Sequence, residues 1–476
     1  MKLRVFSNTG VCILGFSLLT WAAPAPKPAA KPAARKSAPA KKPAPVKARR
    51  ALAVRASQAS APMYFRIGQA EITPVGFADF TAVWRSSNVG SGIGTGFPGI
   101  PFGNTLAGNE SEFRFSEQNS RIGFKVTAHP DDFDVTGYME ADFLGVQPPN
   151  AYVSSNSNSL RMRLYWVDVK KDGWELLAGQ TWSLLTPNRR GLSPLPGDLF
   201  FTDNMDTNYQ VGLVWGRIPE IRLVRHINRH WTAGIAFDSP EQYIGGAVTL
   251  PGAYAPQLDN GSNLATPNYA PDVIGKIAFD SSHNAPRIHL ELGGVFRTFR
   301  VDNPTTFVAQ KATGDGVTLN GNIGLTKKIH LIANSFYGQG VGRYIFGMGP
   351  DVIVRPDGSV SPVHAGAGIG GFEVSPNAQW TWFTYYGGAY FQRDFTGSGK
   401  SALGYGFLGS ASSNNRAIQE FTTGLVHTFW SDPKIGALQF ISQYSYLWRN
   451  PWSVAAGAPR SAHSNMIFAD LRYVLP

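Results

Sequence analysis

A strict period of two, sustained over stretches of ten or more residues, is the strongest constraint on how this chain folds. Between 121 and 128, Ile122, Phe124, Val126 and Ala128 share one face, with Arg121, Lys125 and Thr127 opposite. From 132 to 143, Phe133, Val135, Gly137, Met139, Ala141 and Phe143 alternate with Asp132, Asp134, Thr136, Tyr138, Glu140 and Asp142. Over 159–166, Leu160, Met162, Leu164 and Trp166 alternate with Arg161, Arg163 and Tyr165. The pattern returns with Ile288, Leu290, Leu292, Gly294 and Phe296, and again with Ile467, Ala469, Leu471, Tyr473 and Leu475. Successive side chains of a strand point to opposite faces, so these segments predict two-faced antiparallel sheets.

A soluble β-sandwich would also alternate. Three features argue instead for a transmembrane antiparallel up-and-down β-barrel. Soluble strands average about 5–6 residues, whereas membrane strands need about 9–11. The apolar faces contain no charge, as contact with hydrocarbon requires. Six of the twelve Trp (Trp166, Trp174, Trp231, Trp380, Trp382 and Trp430) lie beside short turns, as an interfacial girdle would.

The connections alternate in length. Short turns are expected at 129–131, 170–172, 228–230, 281–286, 326–327, 375–378 and 431–434. Long Gly/Ser/Asn/Pro-rich loops are expected at 86–112, 145–158, 184–207, 239–271, 301–315, 341–365, 395–415 and 449–463. Fifteen connections imply about sixteen strands, an even number that returns both ends to the short-turn side. The count treats 208–227 as one strand broken at Pro219. A barrel of that size encloses a water-filled lumen.

Charge is distributed unevenly. The formal net charge is +11, yet residues 1–62 hold twelve Lys and Arg and no Asp or Glu, leaving 31 basic against 32 acidic residues elsewhere. The body is therefore not a nucleic-acid binder. Residues 1–22 read as a signal peptide: a basic start, an apolar run from Val11 to Trp21 too short to span a bilayer, and small residues after it. An organelle transit peptide is the alternative. Its removal would take Cys12, the chain's one cysteine, and leave no disulfide or thiolate metal site. Residues 23–66 form a Pro/Ala/Lys-rich tract, and 67–476 the barrel. Proline and like-charge repulsion keep the tract open, either as a solvated spacer or as a tether to anionic cell-wall or lipid groups through 23–62.

Motifs for catalysis are imitated rather than present. Gly94-Thr95-Gly96-Phe97-Pro98-Gly99 matches a dinucleotide fingerprint, but Pro98 and the absence of a following helical pattern deny it the required strand–turn–helix setting. Gly399-Lys400-Ser401 lacks the leading glycine of a phosphate loop. His226 and His230 bracket a turn rather than share a helix face. A rim hydrolase using His289 or His427 is the remaining enzymatic reading, and no cofactor or metal site is expected.

The run Ser120-Arg121-Ile122-Gly123-Phe124-Lys125, the strand pair around 160–182 ending Gly179-Gln180-Thr181-Trp182-Ser183, and Pro219-Glu220-Ile221-Arg222 resemble Gram-negative outer-membrane porins, in particular the DcaP-like trimeric family. The resemblance implies a sixteen-stranded barrel, a homotrimer, and a third long loop folded into the lumen as a constriction. Two features depart from it. The Pro-rich tract cannot form the coiled coil some members carry, and the chain ends Tyr473-Val474-Leu475-Pro476 rather than in Phe.

In such a channel, selection is electrostatic: low-dielectric walls focus the field of lumen charges. The candidate constriction residues are Arg121, Lys125, Arg161 and Arg163 on the wall, and Arg189, Arg190, Asp198, Asp203 and Asp206 in the third loop. Asp134, Glu140 and Asp142 lie on the strand between the basic ones, where cross-strand salt bridging is the competing role. The expected function is passive diffusion of small hydrophilic solutes, with mild preference for small organic anions. The alternative is a structural protein linking the outer membrane to the cell wall. Expected partners are outer-membrane lipid and lipopolysaccharide, and both termini are expected to be periplasmic.

Overall fold

The computed structural model describes residues 64–145, 159–195, 200–205, 207–245, 248–261, 268–281, 287–397 and 401–476. The expected signal peptide and almost all of the basic tract lie outside the described residues, as do Asp198 and Asp206.

Sixteen antiparallel strands close into one barrel. They are β1 (Ala70–Arg85), β2 (in two pieces, Glu112–Ser116 and Arg121–Ala128), β3 (Asp134–Asp142), β4 (Arg161–Lys171), β5 (Trp174–Trp182), β6 (Arg217–His226), β7 (Trp231–Asp238) and β8 (Asp272–Asp280). There follow β9 (Arg287–Asp302), β10 (Ala309–Gly324), β11 (Ile329–Gln339), β12 (His364–Val374), β13 (Trp380–Phe391), β14 (Asn415–Asp432), β15 (Gly436–Pro451) and β16 (Ala462–Val474). Each strand pairs with its sequence neighbour, and β16 closes on β1 from Phe77↔Val474 to Arg85↔Met466. Closure removes every free edge, which a membrane interior demands because it offers no water to unpaired backbone groups. Leu475 still donates its N–H to Gly76 O at 3.1 Å, so the unusual C-terminus keeps its last barrel contact.

Seven short turns alternate with eight connections at the other end: L1 (86–111), L2 (143–160), L3 (183–216), L4 (239–271), L5 (303–308), L6 (340–363), L7 (392–414) and L8 (452–461). Both ends of the described chain lie on the short-turn side, as an even strand number requires.

Three sequence expectations need correction. The loop expected at 301–315 is only L5, because β9 and β10 continue as a ladder to Asp302↔Ala309. At the β9 tip Phe299 and Val301 alternate with Arg300 and Asp302, but their apolar side faces inward, packed with Tyr254 and Leu258 of L4 and Val352 and Val354 of L6, opposite to the lipid-facing pattern of the rest of the strand. Residues 208–216 are not strand: L3 extends to 216, and Pro219 sits inside β6 opposite Gln180 without breaking it. Finally, Leu164 and Trp166 face inward. A bulge shifts the β3–β4 register between Glu140↔Leu164 and Ala141↔Met162, so Arg163 and Leu164 both enter the lumen and the alternation changes phase. Trp166 then stacks on Tyr138, with ring centroids 5.3 Å apart.

The outer wall is apolar. Leu292, Phe296, Leu319, Ile221 and Ile467 are each at least half exposed there. The remaining five Trp of the expected girdle, Trp174, Trp231, Trp380, Trp382 and Trp430, are 37–49% exposed near the short-turn end. The inner wall is polar, and the lumen is occupied by a loop core. Phe97 of L1, Tyr209 of L3 and Phe346 of L6 form an aromatic column, with centroids 5.5 and 4.0 Å apart.

Candidate functional site

L3 crosses the lumen and is tied to the wall at successive points. Asn188 N–H donates to Glu291 Oε1 on β9 at 3.0 Å, and Gly191 N–H to Asp280 Oδ2 on β8 at 3.0 Å. Arg189 grips Glu373 of β12 with both terminal nitrogens, one at 2.9 Å, and Tyr385 OH donates to the same carboxylate at 2.7 Å. Further along, Asp203 N–H donates to Gln443 Oε1 on β15 at 2.9 Å, and Val211 N–H to Glu420 Oε2 on β14 at 3.0 Å. Arg472 of β16 donates to Asp203 Oδ1 at 3.1 Å.

The glycine-rich strand β12 and its neighbour explain how a loop backbone lies this close to a wall. A Cβ at Gly387 would collide with Val211 O, and one at Gly212, whose φ is +97°, would collide with Gly368 O. Side chains on either surface would hold the two backbones apart.

Around the β2–β4 wall the candidate charges are paired. Arg163 is fully buried; its Nε donates to Glu140 Oε1 at 2.7 Å and its Nη1 to Asp142 Oδ2 at 2.6 Å. Arg161 Nε donates to Asp142 Oδ1 at 3.0 Å, and Arg121 Nη1 lies 3.9 Å from Glu140 Oε1. Asp134 does not join this cluster: its partner is His129 at 2.7 Å. Lys125 is exposed on the inward-facing register, opposite Tyr138. Arg161 and Arg163 stand two residues apart on one face, ahead of the phase change, and both reach Asp142.

Two cavities flank the L3 crossing. One, of about 890 Å³, opens among L1, L3 and the long-loop ends of β2 and β4–β6; Arg114, Arg161 and Arg217 line it against Glu117 alone, beside Trp182 and Trp215. The second, of about 260 Å³, lies at the short-turn ends of β8–β11 and is lined by Arg189, Arg190 and Arg287 with Asp280 as its one carboxylate, and by His289 and His330. The sequence reading missed Arg114, Arg217 and Arg287 as cavity residues. Arg287 stood on the polar face of a recognised strand, which was a usable signal; Arg217 begins a strand whose start was misplaced.

The hydrolase reading finds no support in its two histidines. His289 is held on both ring nitrogens, by Asp280 at 3.0 Å and Glu291 at 3.2 Å, and His427 stacks on Trp380 of the outer girdle at 3.9 Å. His226 and His230 turn to different partners, Glu175 Oε2 and Asp280 O.

No family model and no curated protein matches the sequence. Among solved structures, the chain is similar to the outer membrane channel DcaP of Acinetobacter baumannii, at 15% identity and a TM-score of 0.61, covering 86% of this chain and 99% of that one. The chain has the fold of a DcaP-like porin. It is also similar to an anion-selective porin from Comamonas acidovorans, at 12% identity and a TM-score of 0.49 over 85% of this chain and 99% of that one. OmpF of Salmonella typhi, in a complex with daunomycin, matches at 10% identity and a TM-score of 0.48 over 87% and 100%. Of these, only the DcaP likeness bears on the architecture, and at 15% identity it bears on the fold alone.

Proposed function

We propose that this protein is a passive diffusion channel of a Gram-negative outer membrane, admitting small hydrophilic solutes with a preference for small organic anions. The observation that carries this reading is the lining of the two cavities: each presents three arginines and one carboxylate, with Arg114, Arg161 and Arg189 held from behind by Glu112, Asp142 and Glu373, which stand outside the lining. Guanidinium groups in a narrow, low-dielectric passage raise the local concentration of anions and present forks that match a carboxylate. A closed barrel with an apolar exterior supports membrane insertion, and the girdle of Trp at the short-turn end supports a membrane boundary there. In this reading the short turns and both termini are periplasmic, and the protein assembles as a homotrimer.

Reversal potentials across planar bilayers in a salt gradient test the proposal. The wild type is expected to favour chloride over potassium, and Arg189→Ala with Arg190→Ala to move the ratio towards unity. An unchanged ratio would remove those two residues from the filter. A cation-selective wild type would overturn the anion preference itself.

A further inference from the structure

The cavity at the short-turn ends of β8–β11 differs in kind from its larger counterpart. Its lining holds a single apolar side chain, Ile288, whereas the larger cavity presents two indoles. Residues of three elements meet there: Arg189 and Arg190 of L3, Arg287 and His289 of β9, and His330 of β11. Gly324 makes the room. It lies between Arg287 and His330 in the ladder, and a Cβ there would stand 3.3 Å from the His330 ring and 3.6 Å from Arg287 Cβ. Each oxygen of Asp280 already has a protein donor: Oδ1 faces His289 Nδ1 at 3.0 Å, and Oδ2 accepts from Gly191 N–H at 3.0 Å. The other His289 nitrogen faces Glu291 Oε1 at 3.2 Å, so a ring donating to both carboxylates carries both protons and a positive charge. Behind the wall, Glu291 also holds the Lys276 ammonium at 2.9 Å, and Glu373 holds Arg189. Among the described residues, five cations (Arg189, Arg190, Arg287, His289 and Lys276) thus stand with three carboxylates (Asp280, Glu291 and Glu373). The excess is two positive charges around a cavity of about 260 Å³.

Two excess charges in so small a space favour a compact dianion over two separate monoanions. A carboxylate is planar and meets one guanidinium fork along its edge, whereas a phosphate turns oxygens towards donors on several sides at once. A dicarboxylate carries its charges at opposite ends of a carbon chain, for which this polar lining offers little contact. We propose that this cavity is a binding site for a phosphate group, either free hydrogen phosphate or the head of a small phosphomonoester. The inference deepens the channel reading and rests on it, because a solute reaches the cavity through the lumen.

The test uses the full chain in detergent, with binding read by isothermal titration calorimetry above the second pKa of phosphate. Hydrogen phosphate is expected to bind about tenfold more tightly than succinate, the equivalent of one further charge-assisted hydrogen bond. Arg287→Gln, and the double variant Arg190→Gln with Arg287→Gln, are expected to lose this preference. Arg225→Gln, which removes a cation 4.9 Å from the Trp174 ring and outside the cavity, is expected to keep it. Succinate binding as tightly as phosphate would overturn the proposal, as would an undiminished preference in the double variant or an equal loss in Arg225→Gln. Glycerol phosphate distinguishes the sources: binding comparable to hydrogen phosphate supports an ester as the ligand, and exclusion supports the free ion. Bilayer currents separate the two readings. Phosphate binding by a protein that carries no current would sink the channel and leave the site standing, and an anion-selective channel that binds no phosphate would do the reverse.

Discussion

Arg472 on the last strand joins two closures at once: its Nε donates to Asp79 Oδ2 of the first strand at 2.8 Å, and its Nη2 to Asp203 Oδ1 of L3 at 3.1 Å. Asp470 stands 2.8 Å from the same guanidinium. The barrel seam and the lumen loop therefore share one cation. Arg472→Met would leave three carboxylates grouped without it, and removing one partner of a buried ionic cluster costs about 3–5 kcal/mol. The expected result is a clear drop in the temperature at which the folded band disappears on semi-native gels. Asp203→Asn, which keeps the seam pair, is expected to lose less stability. Equal melting of Arg472→Met and wild type would contradict the account.

Gly387→Val tests whether L3 is seated by backbone contact. The new side chain would occupy the place of Val211 O, so L3 must lift from β12 and β13. Single-channel conductance is expected to change, with L3 becoming more open to limited proteolysis. A variant indistinguishable from wild type in both measurements would show that the loop is held elsewhere.

Glu373 keeps Arg189 neutralised on the wall. Glu373→Gln removes the negative charge and retains much of the shape, leaving the guanidinium's field uncompensated in the cavity. The expected outcome is a stronger anion preference, read as a reversal potential displaced further towards the chloride limit. A displacement in the opposite direction would show that Arg189 does not act on the permeating ion.

The inward and outward tryptophans are separable by lipid contact. Brominated acyl chains quench indoles that meet lipid, so Trp430→Phe is expected to reduce the quenchable fraction. Trp166→Phe is expected to leave it unchanged, because that ring lies against Tyr138 inside the barrel. The reverse result would contradict the inward phase of β4.

Much of the architecture was readable because the membrane imposes simple rules. Ile288, Leu290 and Leu292 must all face hydrocarbon, and that repeated demand writes the strand directly into the sequence. The cross-strand pairing of Glu140 and Asp142 with Arg161 and Arg163 could also be anticipated from adjacency. The β4 bulge could not, because one inserted residue leaves local composition unchanged while reversing every later side chain. The same holds for L3. Its 208–216 segment alternates enough to imitate a strand, and only the contacts of Val211 and Gly212 with distant β12–β14 show that it lies across the lumen.

By itself, then, the sequence determined an antiparallel barrel of sixteen strands, its apolar exterior, its two unlike ends and the −1 balance of the chain beyond residue 62. These depend on alternation and length, which are local. Tertiary structure alone decided which charges remain to face a solute. Arg163 is consumed by Glu140 and Asp142, Asp203 is bound by Arg472, and Arg114 and Arg161, each paired with a carboxylate, still reach one cavity together with Arg217. Most of these contacts join residues well separated in the chain. Electrostatic effect depends on distance and burial in space, and neither is carried by the order of residues.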